Sequence, residues 1–139
     1  MHSSGGMRFE RTPSLTVGAL IVVRALYAAA RQEAIERIMS RLEQLQALLD
    51  KEPDDAFLNF GVAMELAKAE RYDESLARFD DVIRNDPNYV AAHFHKAKTL
   101  LAMGETEAAK AQLEKGIAQA GACGESHAQG EMQELFASL

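Results

Sequence analysis

Residues 56–87 read AFLNFGVAMELAKAERYDESLARFDDVIRNDP, and residues 90–121 read VAAHFHKAKTLLAMGETEAAKAQLEKGIAQAG. Laid over each other, they place Ala63 on Ala97, Leu66 on Leu100, Ser75 on Ala109, Phe79 on Leu113, Val82 on Gly116 and Ile83 on Ile117. The punctuation keeps the same period: Glu52-Pro53-Asp54 recurs as Asp86-Pro87-Asn88, and Gly121 stands one equal step beyond Pro87. A fixed period of this size marks a repeat architecture, in which each unit buries its apolar face only by stacking on its neighbour. Small residues recur where helices would cross closely, and large apolar ones where a core needs filling.

Each repeat reads as two helices. Ala56–Lys68 carries Phe57, Phe60, Val62, Ala63, Met64 and Leu66 over too wide an arc for a surface helix, so it is packed on more than one side. After a polar break at Glu70-Arg71, Asp73–Arg84 places Leu76, Phe79, Val82 and Ile83 on one stripe. Asn85-Asp86-Pro87 ends it, because the residue before proline is pushed out of the helical region. The second repeat follows with Ala91–Met103, a left-handed cap at Gly104, and Thr106–Ala120 closed by Gly121. The spacing then predicts a loop over Gly121–Gly124, an N-cap at Ser126, and a last helix over His127–Leu139 that covers the exposed end of the stack.

Upstream, Ile35, Ile38, Leu42, Leu45 and Leu49 step by three and four, as in the second half of a repeat without its first half. That stripe is expected to pack on the first repeat, although a short coiled coil shares the pattern. The resulting division is 1–31 N-terminal extension, 32–55 flanking helix, 56–89 first repeat, 90–121 second repeat and 122–139 capping helix.

The chain has 139 residues, 47% hydrophobic and 26% charged, with one cysteine and a net charge of -6. One cysteine permits no intrachain disulfide. Residues 1–31 carry +3, from Arg8, Arg11, Arg24 and Arg31 against Glu10, so the remaining residues carry -9. Such an acidic body repels phosphate backbones, and nucleic acid is not an expected partner.

Residues 1–31 admit three readings. They are an appended or non-native extension, with the natural start at Met39; an export or anchoring signal over residues 8–30; or an extra packed helix. Met1–Ser14 is expected to be disordered, and the apolar run Leu15–Val23 is too short to span a membrane. A membrane is therefore not an expected partner, and the expected location is the cytoplasm unless residues 8–30 act as a signal.

Small residues at Ala63 and Ala97, the run Tyr72-Asp73-Glu74-Ser75, Phe79, and Asn85-Asp86-Pro87 together resemble the tetratricopeptide repeat (TPR), a helix–turn–helix unit that recurs at this period and ends near a proline. The likeness covers about residues 39–139. It is to small stand-alone bacterial members with two repeats and a Gly-x-x-His-Ala-x-x-Glu capping helix, here Gly124–Glu131. Asn59 and His93 depart from the family's aromatic at that repeat position. The resemblance implies an all-α fold, a short right-handed α-solenoid with flanking and capping helices.

It also implies a concave groove lined by the first helix of each repeat: Phe57, Phe60, Met64 and Lys68, then Phe94, His95, Lys98 and Leu101. Such a groove, with a basic spot at His95 and Lys98, suits an amphipathic helix or an extended apolar peptide with an acidic end. Phe60, Phe94 and Leu101 have a second reading as packing between helices. Chaperone-binding members hold a C-terminal carboxylate in a Lys/Asn/Arg clamp; the matching positions here are Phe60, Met64, Ala91 and His95, so the clamp is absent.

Other constellations carry little chemistry. His93 and His95 diverge on a helix, and Cys123 and His127 lack further ligands, so neither pair predicts a metal site. Cys123 lies in a glycine-flanked loop before a helix start, but with no base beside it. Asp54-Asp55 reads as a helix cap and Asp80-Asp81 as solvated surface. The expected function is a non-catalytic protein–protein interaction module, a scaffold or adaptor without cofactor. The alternative is a self-associating structural or assembly factor, a monomer or weak homodimer, tethered to a membrane if residues 1–31 serve as an anchor.

Overall fold

Every regular element of the computed structural model, which describes residues 16–139, is a helix: α1 (Val17–Leu49), α2 (Ala56–Lys68), α3 (Tyr72–Asn85), α4 (Val90–Ala102), α5 (Thr106–Cys123) and α6 (Ser126–Ala137). The expectation for Met1–Ser14 falls outside these residues. The described residues divide into two units, the first ending at Glu36 and the second spanning residues 37–139, and α1 contributes turns to both.

In the first unit, Thr16 Oγ1 accepts from the Ala19 N–H at 3.4 Å and starts α1. Residues 17–31, read from sequence as an apolar segment after a tail, are the first turns of that helix. Val17, Leu20, Ile21, Val22, Val23, Leu26 and Tyr27 are all more than half exposed. No described helix is long and apolar enough to cross a membrane.

The second unit is built from the repeat outward. Asp55 caps α2, its side chain accepting from the Leu58 N–H at 2.7 Å, as expected of a carboxylate ahead of a helix. α2 and α3 form one antiparallel pair and α4 and α5 the next, and α6 packs on α5. Three apolar clusters hold the stack. The stripe on the later turns of α1 meets α2 through Leu42, Leu49, Val62 and Leu66. Ala63, Phe79, Val82 and Ala92 join α2, α3 and α4, while Val90, Ala97, Leu113, Ala120 and Met132 join α4, α5 and α6. Each cluster links only neighbouring helices, which is the nearest-neighbour logic of a solenoid. The all-α solenoid with a flanking helix and a capping helix is thus the observed fold.

The repeat positions that matched in sequence share structural roles. α2 and α4 end alike, with Arg71 N–H on the Leu66 carbonyl and Glu105 N–H on the Leu100 carbonyl, both at 2.9 Å. Asn59, fully buried, donates to the Pro53 carbonyl at 3.0 Å; at the same place in the second repeat, buried His93 hydrogen-bonds the Pro87 carbonyl. Arg78 reaches Asn59 Oδ1 at 3.5 Å, and its counterpart Gln112 donates to His93 Nδ1 at 2.7 Å. A polar side chain at this position therefore ties each first helix to the proline that precedes it and to its second helix.

The third boundary differs from the expectation. α5 runs through Gly121 to Cys123 and stops at Gly124, whose φ of 77° is left-handed. No proline stands here to break the helix sooner. Gly121 instead faces Gln129, where a Cβ would come within 2.8 Å of its amide nitrogen. Glu125, not Ser126, occupies the N-cap of α6, and its side chain makes no capping hydrogen bond.

Candidate partner-binding groove

The first helix of each repeat turns one side to its second helix and another to the next first helix, as its wide apolar arc requires. Along α2 and α4 this leaves a row of side chains open to solvent, among them Met64, Lys68, His95 and Lys98. A cleft of about 250 Å³ runs there, lined by Met64, Lys68, Tyr72, His95, Lys98 and Thr99 among others. A larger cleft of about 580 Å³ adjoins it between α4 and α6, with Val90, Phe94 and Lys98 on one wall and Ala128, Glu131 and Leu135 on the other. His95 and Lys98 line both, so the two clefts form one groove across α2, α4 and α6.

Five of the eight residues named from sequence border this groove: Met64, Lys68, Phe94, His95 and Lys98. Phe57 is 70% exposed but lines neither cleft. Phe60 packs among aromatics, its ring centroid 5.9 Å from Phe79, 5.0 Å from Tyr89 and 5.5 Å from His95. Leu101 is partly buried and lines neither cleft.

The electrostatics differ from the sequence reading in one respect. His95 was expected to share a basic spot with Lys98, but burial lowers its pKa from the ordinary 6.5, and the Lys98 charge lowers it further against an opposing pull from Glu131. At neutral pH the ring is therefore uncharged, an edge-on partner to Phe60 and Phe94. The cationic groups are Lys98, held 4.4 Å over the Phe94 ring centroid, and Lys68, bonded to the buried Glu65 at 3.1 Å. Arg41 on α1 reaches the same Glu65 oxygen at 3.3 Å.

Sequence reading missed the wall supplied by α6. Glu125, Glu131 and Glu134 border the large cleft beside Ala128 and Leu135. The signal was present: positions 128, 131, 134 and 135 share one face of a helix. Their role was hidden because a terminal helix was read only as a cover for the stack. A further cleft of about 540 Å³, between Leu42 and Gln46 on α1 and Arg71 and Arg78 beyond, was also unforeseen.

The carboxylate pairs and the cysteine stand outside the groove. Asp80 pairs with Lys96, and Asp81 with Arg78 and Arg84, as surface charges. Cys123 is the last residue of α5 and exposed, beside Gln119 and Asn88, rather than in a loop. Among the described residues, no three His, Cys, Asp or Glu side chains come together as a metal site.

Comparison with known proteins gives the same architecture. A family model described as "Tetratricopeptide repeat" matches residues 66–129. The TPR repeat-containing protein PA0015 of Pseudomonas aeruginosa is 33% identical over 101 residues, spanning 70% of this chain and 93% of that protein. Among solved structures, the TPR2B domain of yeast Sti1, in a complex with pHsp70, superposes with a TM-score of 0.69 at 21% identity, over 82% of this chain and 91% of that one. A tetratricopeptide repeat domain protein from Salinibacter ruber matches with a TM-score of 0.56 at 26% identity, over 60% and 93% of the two chains.

Proposed function

The chain belongs to the tetratricopeptide repeat family, and from that premise we propose that it is a non-catalytic interaction module holding a peptide or helix of a partner protein in the groove across α2, α4 and α6. The observation that carries this reading is the continuity of the two clefts through His95 and Lys98. A groove with an apolar floor and charged edges suits a segment that brings its own side chains to anchor. The Sti1 neighbour is a repeat domain solved with a protein partner, which supports a peptide ligand in general terms. A chaperone-type carboxylate is a poor match, since Phe60, Met64, Ala91 and His95 stand where the clamp residues belong.

Affinity capture with wild type and with Phe94→Ala/Lys98→Ala tests the assignment. Lys98 is exposed and Phe94 half-buried at the edge of the α4–α6 core, so circular dichroism is the control for an intact fold, and partner recovery should fall severalfold. Equal recovery of every partner by both proteins would overturn it. Phe60 is unsuitable for this purpose, because its contacts with Phe79 and Tyr89 make truncation a core lesion.

A second reading, self-association, is favoured by the exposed apolar side chains from Val17 to Tyr27. A contiguous apolar surface of this kind is uncommon on a monomer. Light scattering across a dilution series should show a mass above the monomer that falls on dilution, and Leu20→Glu/Leu26→Glu should abolish it. A constant monomer mass in the wild type excludes this reading.

A further inference from the structure

The groove is not electrically uniform. Its α2–α4 section is edged by Lys68 and Lys98 and by no carboxylate. Its α4–α6 section is edged by Glu125, Glu131 and Glu134, three carboxylates against Lys98 alone. These charges are only partly used inside the chain. Lys68 is bonded to Glu65, and Glu131 lies 3.4 Å from His127, whereas Glu125, Glu134 and Lys98 have no ion-pair partner among the described residues. Between the two ends the floor is apolar, with Phe94 and Leu135 facing the larger cleft. Unpaired charge of opposite sign on the two sides of the larger cleft, Lys98 from α4 and Glu125 and Glu134 at α6, fixes the direction in which a charged ligand lies, because like charges set opposite each other oppose binding.

Resting on the groove reading above, we propose that the occupant is a partner segment with an acidic side chain at the Lys68/Lys98 end, an apolar side chain on Phe94 and Leu135, and a basic side chain at the Glu131/Glu134 end. Lys68 on α2 extends the basic side, and Lys98 on α4 stands one interhelical spacing, about 10 Å, from the α6 carboxylates. In an extended peptide that is about three residues. The ligand is thus dipolar and binds in one direction, with its acidic residue toward α2.

Selection of random heptapeptides on the full chain tests this directly. Wild type should enrich sequences with an acidic and a basic residue about three positions apart and an apolar residue between them. Glu131→Lys/Glu134→Lys should lose the preference for the basic residue and bind a wild-type-selected peptide about tenfold more weakly. Lys98→Glu should lose the preference for the acidic one. These three side chains are exposed, so circular dichroism should report an intact fold. Peptides that are enriched and lost on Phe94→Ala, yet lack the charge pair or bind both reversals as they bind wild type, would overturn the polarity while sparing the groove. Failure to enrich any peptide that depends on Phe94 would overturn the groove reading itself.

Discussion

His93 holds the polar tie of the second repeat as Asn59 holds that of the first, and it is the one of the pair that can titrate. Burial pushes its pKa below 6.5, with Lys96 and Lys115 acting in the same direction and the Pro87 hydrogen bond opposing them. A histidine with a depressed folded-state pKa binds more protons when unfolded, so stability rises with pH across its titration. The contribution is fully present above about pH 6.5 and is lost as pH falls through the folded-state value. Thermal melts should therefore show wild type losing a few degrees more than His93→Asn between pH 7.5 and 5.5, since asparagine already serves at position 59. His95 shifts in the same direction but is present in both proteins and cancels. Equal losses would contradict the assignment. From sequence, His93 was only a departure from the aromatic usual at its position; the carbonyl it binds belongs to the proline ahead of its helix, a pairing that periodicity does not reveal.

Helix ends are the element-scale feature that the repeat makes comparable. α4 is followed by Gly104 at φ 81°, while α2 is followed at the same repeat position by Glu70 at φ 61°, the one non-glycine with positive φ among the described residues. A left-handed side-chain-bearing residue costs about 1–2 kcal/mol, and glycine relieves this at some entropic cost. Glu70→Gly should therefore stabilise the fold by about 0.5–1 kcal/mol, raising the melting temperature by several degrees. An unchanged or lower melting temperature would contradict that strain. The glycine at 104 was legible as a cap; the strain at Glu70 was not, since a polar break was all that Glu70-Arg71 displayed. Gly116 shows the same limit. Its place matches Val82, and sequence gives no reason for losing the valine. In the structure Met132 fills the space: a Cβ on Gly116 would come 2.6 Å from the Met132 sulfur and 2.8 Å from the His93 Cβ. The capping helix thus docks where the repeat gives up a side chain, a relation between α5 and α6 that lies outside the repeat period.

For the molecule as a whole, the period made the helix order, the α2 boundaries and the stacked clusters legible, because repeated burial writes itself into repeated residues. The groove was half legible. Its α2 and α4 faces follow from register, whereas the acidic wall comes from a helix that has no counterpart in the repeats. Recognition is proposed to occur in this groove. Photo-crosslinking measures it most directly, with benzoylphenylalanine replacing Phe94 in the groove or Glu114 on the outward surface of α5. Adducts with a partner protein are expected from position 94, and few or none from position 114. Adducts of equal yield from both positions, or from position 114 alone, would contradict it.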